Sequence, residues 1–290
     1  MRTWKIHGQC TGCDVARQLA PDLIWTGADG RSIMLRQPVT DEEQRAMSAA
    51  AYACHVGAVQ PSDGPLDPAD DPYPMPLDDN VLFCGHNSPA NVSACSYLLQ
   101  RPAGNVMMID TPLFSRGLAE RYAVLGPVTD ILLTHRDHAA HGERYAEHFG
   151  ARLWIHEGDL DAAPTADQVM RGTEPIEVAE GVVAHPLIGH TEGNVIFLAD
   201  DTYCFSGDSF YWSRATQDIE VFDTVTWYSI REFAASLQRA VPRLQFEWLL
   251  PGHGSRTRLP RVEMERRMRS LVDRTVGLLP RAIDFTAVRY

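Results

Sequence analysis

Residues 131–141 read Ile131-Leu132-Leu133-Thr134-His135-Arg136-Asp137-His138-Ala139-Ala140-His141. A short apolar run with strand character passes without a spacer into a cluster of histidines and an aspartate. Strand ends fix side chains firmly, and the loop beyond leaves them open to solvent, so this is where a chain can set metal ligands or catalytic groups. The same construction recurs three times. Pro186-Leu187-Ile188 leads to Gly189-His190-Thr191-Glu192-Gly193, Thr202-Tyr203-Cys204-Phe205 leads to Ser206-Gly207-Asp208, and Trp248-Leu249-Leu250 leads to Pro251-Gly252-His253-Gly254. One histidine after a strand is usually a surface or packed residue. Four strand ends converging on one edge would instead bring His135, Asp137, His138, His190, Asp208 and His253 together as metal ligands.

Working outward, further strands are expected at Val81–Cys84, Val106–Ile109, Arg152–His156, Val182–His185 and Val195–Leu198, with helices over Glu143–Phe149 and Ile230–Val241. This mixture predicts a layered α/β sandwich. Upstream, Pro61–Asp79 is dense in Pro and Asp and has no apolar periodicity, so it reads as a linker. The expected organisation is a small domain over 1–62, a linker over 63–79 and the large domain over 80–290. In the small domain, Asp41–Val56 reads as a helix that Thr40 can cap, with Glu43 three residues on.

The 290 residues carry a formal net charge of −12, which argues against nucleic acid and anionic membranes as partners and leaves a small-molecule substrate. The Arg-rich stretch 256–274 contains Glu263 and Glu265, so it reads as a solvated helix face. No apolar run approaches the roughly 18 residues of a membrane span. The opening Met-Arg-Thr-Trp-Lys-Ile-His-Gly-Gln-Cys lacks the apolar core of a secretory signal. A cytoplasmic protein is expected, its six cysteines reduced thiols or ligands.

The order and spacing of the four strand-end motifs resemble the metallo-β-lactamase superfamily, whose signature is Thr-His-x-His-x-Asp-His, then Gly-His-Thr-x-Gly, Gly-Asp and Gly-His. The last three stand here as Gly189-His190-Thr191-Glu192-Gly193, Gly207-Asp208 and Gly252-His253. The resemblance spans residues 80–290 and implies a four-layer αβ/βα sandwich. The first motif departs from the pattern after Thr134-His135. With two residues deleted, Asp137-His138 stand for the family's Asp-His pair and its second histidine is missing. Without a gap, Asp137 replaces that histidine, and Ala139 and Ala140 replace the pair. The gapped alignment keeps Asp-His as a unit and is preferred; His141 then offers a further nitrogen. By resemblance Asp208 bridges two metals, and in the gapped alignment Asp137 binds one metal and orients the attacking water.

The small domain holds Cys10-Thr11-Gly12-Cys13 and, 41 residues after Cys13, Cys54. This resembles a single-cluster bacterial ferredoxin, and the whole chain resembles a known fusion of such a domain to this hydrolase-like fold. The small domain is therefore expected to be α+β and ferredoxin-like. Four cysteines normally hold a [4Fe–4S] cluster. Here the third cysteine position is Ala16 and the proline after the last cysteine is His55. The leading reading is a degenerate domain that has lost its cluster and serves structure. A cluster on Cys10, Cys13 and Cys54, with a redox partner to match, and a zinc site completed by His7 or His55 stay open beside it.

Imidazoles and carboxylates suit zinc, one ion or two, and equally iron or manganese. The leading functional expectation is a hydrolase whose metal-bound hydroxide attacks a small ester, thioester, amide or phosphoester. An iron-dependent oxidoreductase or oxygenase is the alternative, since His135, His190 and Asp208 alone make a two-His, one-carboxylate set. A binding protein with decayed metal sites stands third. Cys84-Gly85-His86, Tyr211-Trp212 and Trp227-Tyr228 are candidates for the surroundings of the centre; Cys84, like Cys95 and Cys204, reads first as a buried core residue.

Overall fold

The computed structural model describes residues 1–284; residues 285–290 of the large domain expected over 80–290 lie outside the described residues. The small unit contains β1 (Trp4–Ile6), α1 (Val15–Leu19), β2 (Ile24–Thr26), β3 (Ser32–Met34), α2 (Asp41–Ala53) and β4 (Val59–Pro61). β1 pairs antiparallel with β4, and β2 with β3. Thr40 caps α2 by accepting from the Glu43 N–H at 3.2 Å, while the Glu43 carboxylate accepts from the Val39 N–H at 2.6 Å. The helix ends at Ala53, short of the expected Val56.

The rest forms two packed sheets. The first holds β5 (Met75–Asp78), β6 (Val81–Phe83), β7 (Tyr97–Gln100), β8 (Val106–Ile109), β9 (Val128–Leu132), β10 (Arg152–His156) and β11 (Gln168–Met170), running side by side in sequence order. Helices α3 (Arg116–Ala123) and α4 (Gly142–Phe149) cover its outer face. The second sheet runs β12 (Ile176–Ala179), β13 (Val182–Pro186), β14 (Val195–Ala199), β15 (Tyr203–Gly207), then skips the hairpin of β16 (Phe210–Ser213) and β17 (Asp218–Val221). Helix α5 (Ile230–Ala240) intervenes before β18 (Trp248–Pro251) and β19 (Thr257–Arg258) close the sheet, and α6 (Arg261–Val276) packs with α5 on its outer face. No helix among the described residues is long and apolar enough to cross a membrane.

The layers follow from the period of two along each strand. Val81, Phe83, Tyr97, Leu99, Met107 and Ile109 face the second sheet and meet Ala184, Phe197, Phe205 and Leu250 in one core. Their neighbours Leu82, Leu98 and Met108 face outward and pack with Leu118, Tyr122 and Tyr145 of α3 and α4. On the other side Ile196, Leu198, Cys204 and Leu249 pack under Phe233, Leu237, Met264 and Met268 of α5 and α6. This is the αβ/βα sandwich that the resemblance implies.

The stretch read as a linker is built in. Met75–Asp78 pairs with β6 as the edge strand, where a proline without an N–H is tolerated. The small unit does not hang from it as a separate bead. Val15, Ala49 and Ala53 join the core between the sheets, and the buried Tyr73 donates from its hydroxyl to the Ala49 carbonyl at 2.9 Å. Tyr73→Ala should therefore lower the unfolding free energy by about 3–5 kcal/mol in a urea titration. An unchanged midpoint would refute shared packing.

Candidate metal centre

Five strand ends meet at one edge of the sandwich. β9 leads to His135, Asp137 and His138, β13 to His190, β15 to Asp208, β18 to His253 and β8 to Asp110. Close approach demands glycine here: a Cβ on Gly252 would lie 2.4 Å from His138 Cε1, and one on Gly207, at φ +51°, would lie 2.7 Å from Thr134 Oγ1. Asp208 is the hub. Its carboxylate is 2.8 Å from His253 Nδ1, 3.6 Å from His138 Nε2, 3.7 Å from His190 Nε2 and 3.8 Å from His135 Nε2. Two overlapping groups have ligand atoms within 4.8 Å of one another, His135 with His190 and Asp208, and His138 with Asp208 and His253.

Asp137 and His138 part company. Residues Arg136–His138 form a single 3₁₀ turn, in which successive side chains diverge by about 120°. Asp137 Oδ2 lies 3.7 Å from His135 Nε2 and 3.6 Å from His190 Nε2, on the side of the first group. His138 stands in the second. Asp137 thus occupies the place that the ungapped alignment gives it, and His138 the place that the gapped one gives it. The expectation that the pair acts as one unit is corrected. His141 does not join the centre: at the N-terminus of α4, its Nε2 lies 2.8 Å from Ser88 Oγ.

Outer contacts select which nitrogen faces inward in His135, His138 and His253. The Asp110 carboxylate accepts from His138 Nδ1–H at 2.8 Å, leaving Nε2 toward Asp208. The Val92 carbonyl, 2.8 Å from His253 Nε2, can only accept, so Nδ1 turns inward. Thr134 Oγ1 donates to Asp110 and accepts from His135 Nδ1 at 3.0 Å. As a result His135 Nε2 and His138 Nε2 are buried without a hydrogen-bond partner, and in His190 both ring nitrogens are. Buried polar atoms are seldom left so, and a divalent cation fits this donor set.

The electrostatics agree. Burial alone would lower the pKa of His138, but the carboxylates of Asp110 and Asp208 outweigh it and raise it to about 10. Burial would raise that of Asp208, yet His253 and His138 hold it well below the carboxylate range. His135, enclosed among other imidazoles, is pushed far down by burial and by the charges of His138 and His190.

Two supporting carboxylates escaped the sequence reading. Asp110, at φ +52° and 2% exposed, accepts from the Thr134 N–H at 2.8 Å. Asp159, wholly buried, accepts from the Arg136 N–H at 3.0 Å and from Thr191 Oγ1 at 2.5 Å, tying the loops of His135 and His190 together. The signal for Asp110 was present, a polar residue directly after the strand Val106–Ile109. Of the candidate surroundings, Cys84 is buried in the core under α3 and α4. Tyr211 is stacked on Phe222 with ring centroids 4.1 Å apart. Trp227 and Tyr228 are exposed beside the centre; the Tyr228 N–H donates to the His190 carbonyl at 3.2 Å, and the Arg136 guanidinium lies 5.9 Å from the Trp227 ring centre.

In the small unit, Cys10, Cys13 and Cys54 line one apolar cavity with Ala16. The Ser32 N–H donates to Cys10 Sγ at 3.4 Å and the Ala58 N–H to Cys54 Sγ at 3.2 Å. Burial pushes the Cys13 thiol up to about 12. Ala16 packs into the small unit's core, so a four-thiolate cluster lacks a ligand and does not fit. Among the described residues no three ligand atoms of the small unit, His7 and His55 included, lie within 4.8 Å of one another.

Asp110→Asn keeps the shape but weakens the hold on His138 Nδ1. We expect binding of an ion at His138, Asp208 and His253 to weaken roughly 10–100-fold, and binding at His135 and His190, which Asp110 supports only through Thr134, to weaken less. Titration with a chromophoric chelator measures both, and equal affinities in the variant and the parent would refute the assignment.

No family model matches the chain, and no curated relative matches it in sequence. Solved structures do match. A metallo-β-lactamase from Pontibacter korlensis aligns with a TM-score of 0.52 at 17% identity, over 70% of this chain and 96% of that one. DIM-1 metallo-β-lactamase aligns with a TM-score of 0.52 at 17% identity, over 69% and 95%. The metallo-β-lactamase FIM-1 from Pseudomonas aeruginosa, in a mono-zinc form, aligns with a TM-score of 0.51 at 14% identity, over 70% and 95%. Together with the two-sheet architecture, these likenesses establish that the chain has the metallo-β-lactamase fold.

Proposed function

We propose that this chain is a metal-dependent hydrolase of a small ester, thioester, amide or phosphoester. The observation that carries the reading is the set of three buried imidazole nitrogens without partners around the Asp208 carboxylate. His135, His190 and Asp208, with Asp137 at the edge, would hold one ion, and His138, Asp208 and His253 a second, Asp208 being shared. A divalent ion held there would supply a water of lowered pKa, near 7, and Lewis-acid polarisation of the group under attack. The chain's own residues supply the rest. Asp137, with a side chain 36% exposed, is the carboxylate of the set that meets solvent, and it would orient the attacking water. Trp227 and Tyr228 offer exposed aromatic faces for the apolar part of a substrate.

One observation favours a second reading. With Asp137 beside it, the first group carries two imidazoles and two carboxylates, a harder donor set than three imidazoles, and it suits iron(II) and an oxygenase. In either case we read the small unit as a degenerate ferredoxin-like domain that serves structure and needs no redox partner. The setting we infer is cytoplasmic, consistent with six unpaired cysteines. The partner is a small molecule, since a net charge of −12 disfavours nucleic acid and anionic membranes.

Metal and acid-labile sulfide analysis of protein purified without oxygen decides between the readings. Zinc at one or two per chain without sulfide, with turnover of a nitrophenyl ester, thioester or phosphoester, is the expected result; iron with oxygen-dependent activity would move the oxygenase into first place. His190→Ala should lose metal and activity together, and stoichiometric metal in that variant would overturn its ligand role. Trp227→Ala should raise KM several-fold and leave kcat and metal content near the parent's; an unchanged KM would remove Trp227 from the substrate wall.

A further inference from the structure

A cavity lies on the outer side of the second sheet, between α5 and the β12–β13 edge. Its volume is about 140 Å³, and Glu174, His185, Ser236, Arg239 and Arg243 line it. The Ser229 N–H donates to the Gly189 carbonyl at 2.9 Å, so α5 begins beside the His190 loop. Arg239 is ten residues further along that helix, roughly 15 Å away at 1.5 Å per residue. The cavity is therefore separate from the metal centre.

We propose that this cavity binds a small oxyanion, with phosphate as the type. Arg239 and Arg243, four residues apart, present two guanidinium forks, whose geometry matches an oxyanion better than a lone ammonium does. The Arg239 guanidinium donates to Ser236 Oγ at 3.0 Å, which steadies it over the cavity, and Ser236 is itself 1% exposed. His185 is 5% exposed and its Nδ1 has no hydrogen-bond partner. Burial, with the charge of Arg243 added, lowers its pKa to about 4, so at neutral pH the ring is an uncharged donor and acceptor. The one carboxylate at the mouth is Glu174, paired with Arg243 at 3.1 Å and 79% exposed in its side chain. An entering anion competes with Glu174 for Arg243 and finds Arg239 without a carboxylate partner among the described residues.

Size and charge narrow the ligand. Pockets for drug-sized molecules run from about 300 Å³ upward, so 140 Å³ suits an inorganic ion or a single phosphoryl group. The chain's net charge of −12 repels anions at long range. At physiological salt that repulsion is screened within about 8 Å, and the two nearby guanidinium groups dominate.

Calorimetric titration of metal-loaded protein with inorganic phosphate in a zwitterionic buffer tests the proposal. The metal centre can also take phosphate, so the readout is the change between variants. Arg239→Gln combined with Arg243→Gln should weaken one binding event by about tenfold or more. Both arginines are exposed, so the fold should survive, and circular dichroism checks this. Glu174→Gln, which removes the competitor, should tighten the same event several-fold. Binding of glycerol phosphate with equal strength would identify the ligand as the phosphoryl group of a larger molecule, and binding of inorganic phosphate alone as the free ion. Identical isotherms for the parent and both variants, or no phosphate binding by the parent, would overturn the proposal.

Discussion

The carboxylate of Asp208 is buried to 8% exposure where five strand ends meet, and the rest of the site is arranged to make that tolerable. A buried charge costs several kcal/mol unless partners meet it. Here four imidazoles face it, and each comes from a strand end or turn that the sandwich brings to one edge. The parallel pairing of β15 with β18 sets Asp208 and His253 side by side, the Gly252 N–H donating to the Gly207 carbonyl at 2.8 Å. The glycines flanking these ligands are therefore consequences of packing as much as of chemistry.

The small unit serves the same constraint from outside. Asp14, 1% exposed and at φ +69°, accepts from Arg17 at 2.6 Å and from Ser255 Oγ at 3.2 Å, and it also pairs with Arg214. Gln18 Nε2 donates to the Gly254 carbonyl at 2.7 Å. The loop carrying His253 is thus gripped by the sheet on one side and by α1 on the other. A strained aspartate is kept only where its surroundings over-determine it, and this one joins the segment just after Cys13 to the metal edge. That grip gives the unit a structural reason to persist although Ala16 stands where a fourth thiolate would be.

Much of this was legible. The strand-then-polar pattern named six residues that the fold brings together, because a strand end is a local feature and a period of two is easily read. What failed were matters of direction and of weak signals. Spacing alone could not say that a 3₁₀ turn sends Asp137 and His138 to different sides. Met75–Asp78 read as linker because Pro76 masks an edge strand. Asp110 follows its strand directly but has no glycine or histidine beside it, and Asp159 has Gly158 beside it but does not directly follow the expected strand Arg152–His156, so each carries only part of the pattern that marked the ligands. His141 looked like a ligand because it follows two others, but one further turn of chain takes it to Ser88.

A centre shaped for stability alone would have been built differently. Three buried imidazole Nε2 atoms stand without partners, and each unmet polar group costs about 1–3 kcal/mol. Replacing them with apolar side chains would remove that cost, so the arrangement makes sense only if something else meets them. The carboxylates around His138 point to what that is. Asp110 lies 2.8 Å from its Nδ1 and Asp208 3.6 Å from its Nε2, and their pull on the ring outweighs the effect of burial. Positive charge is therefore what this pocket is arranged to hold, and a divalent cation held by imidazoles and carboxylates supplies it.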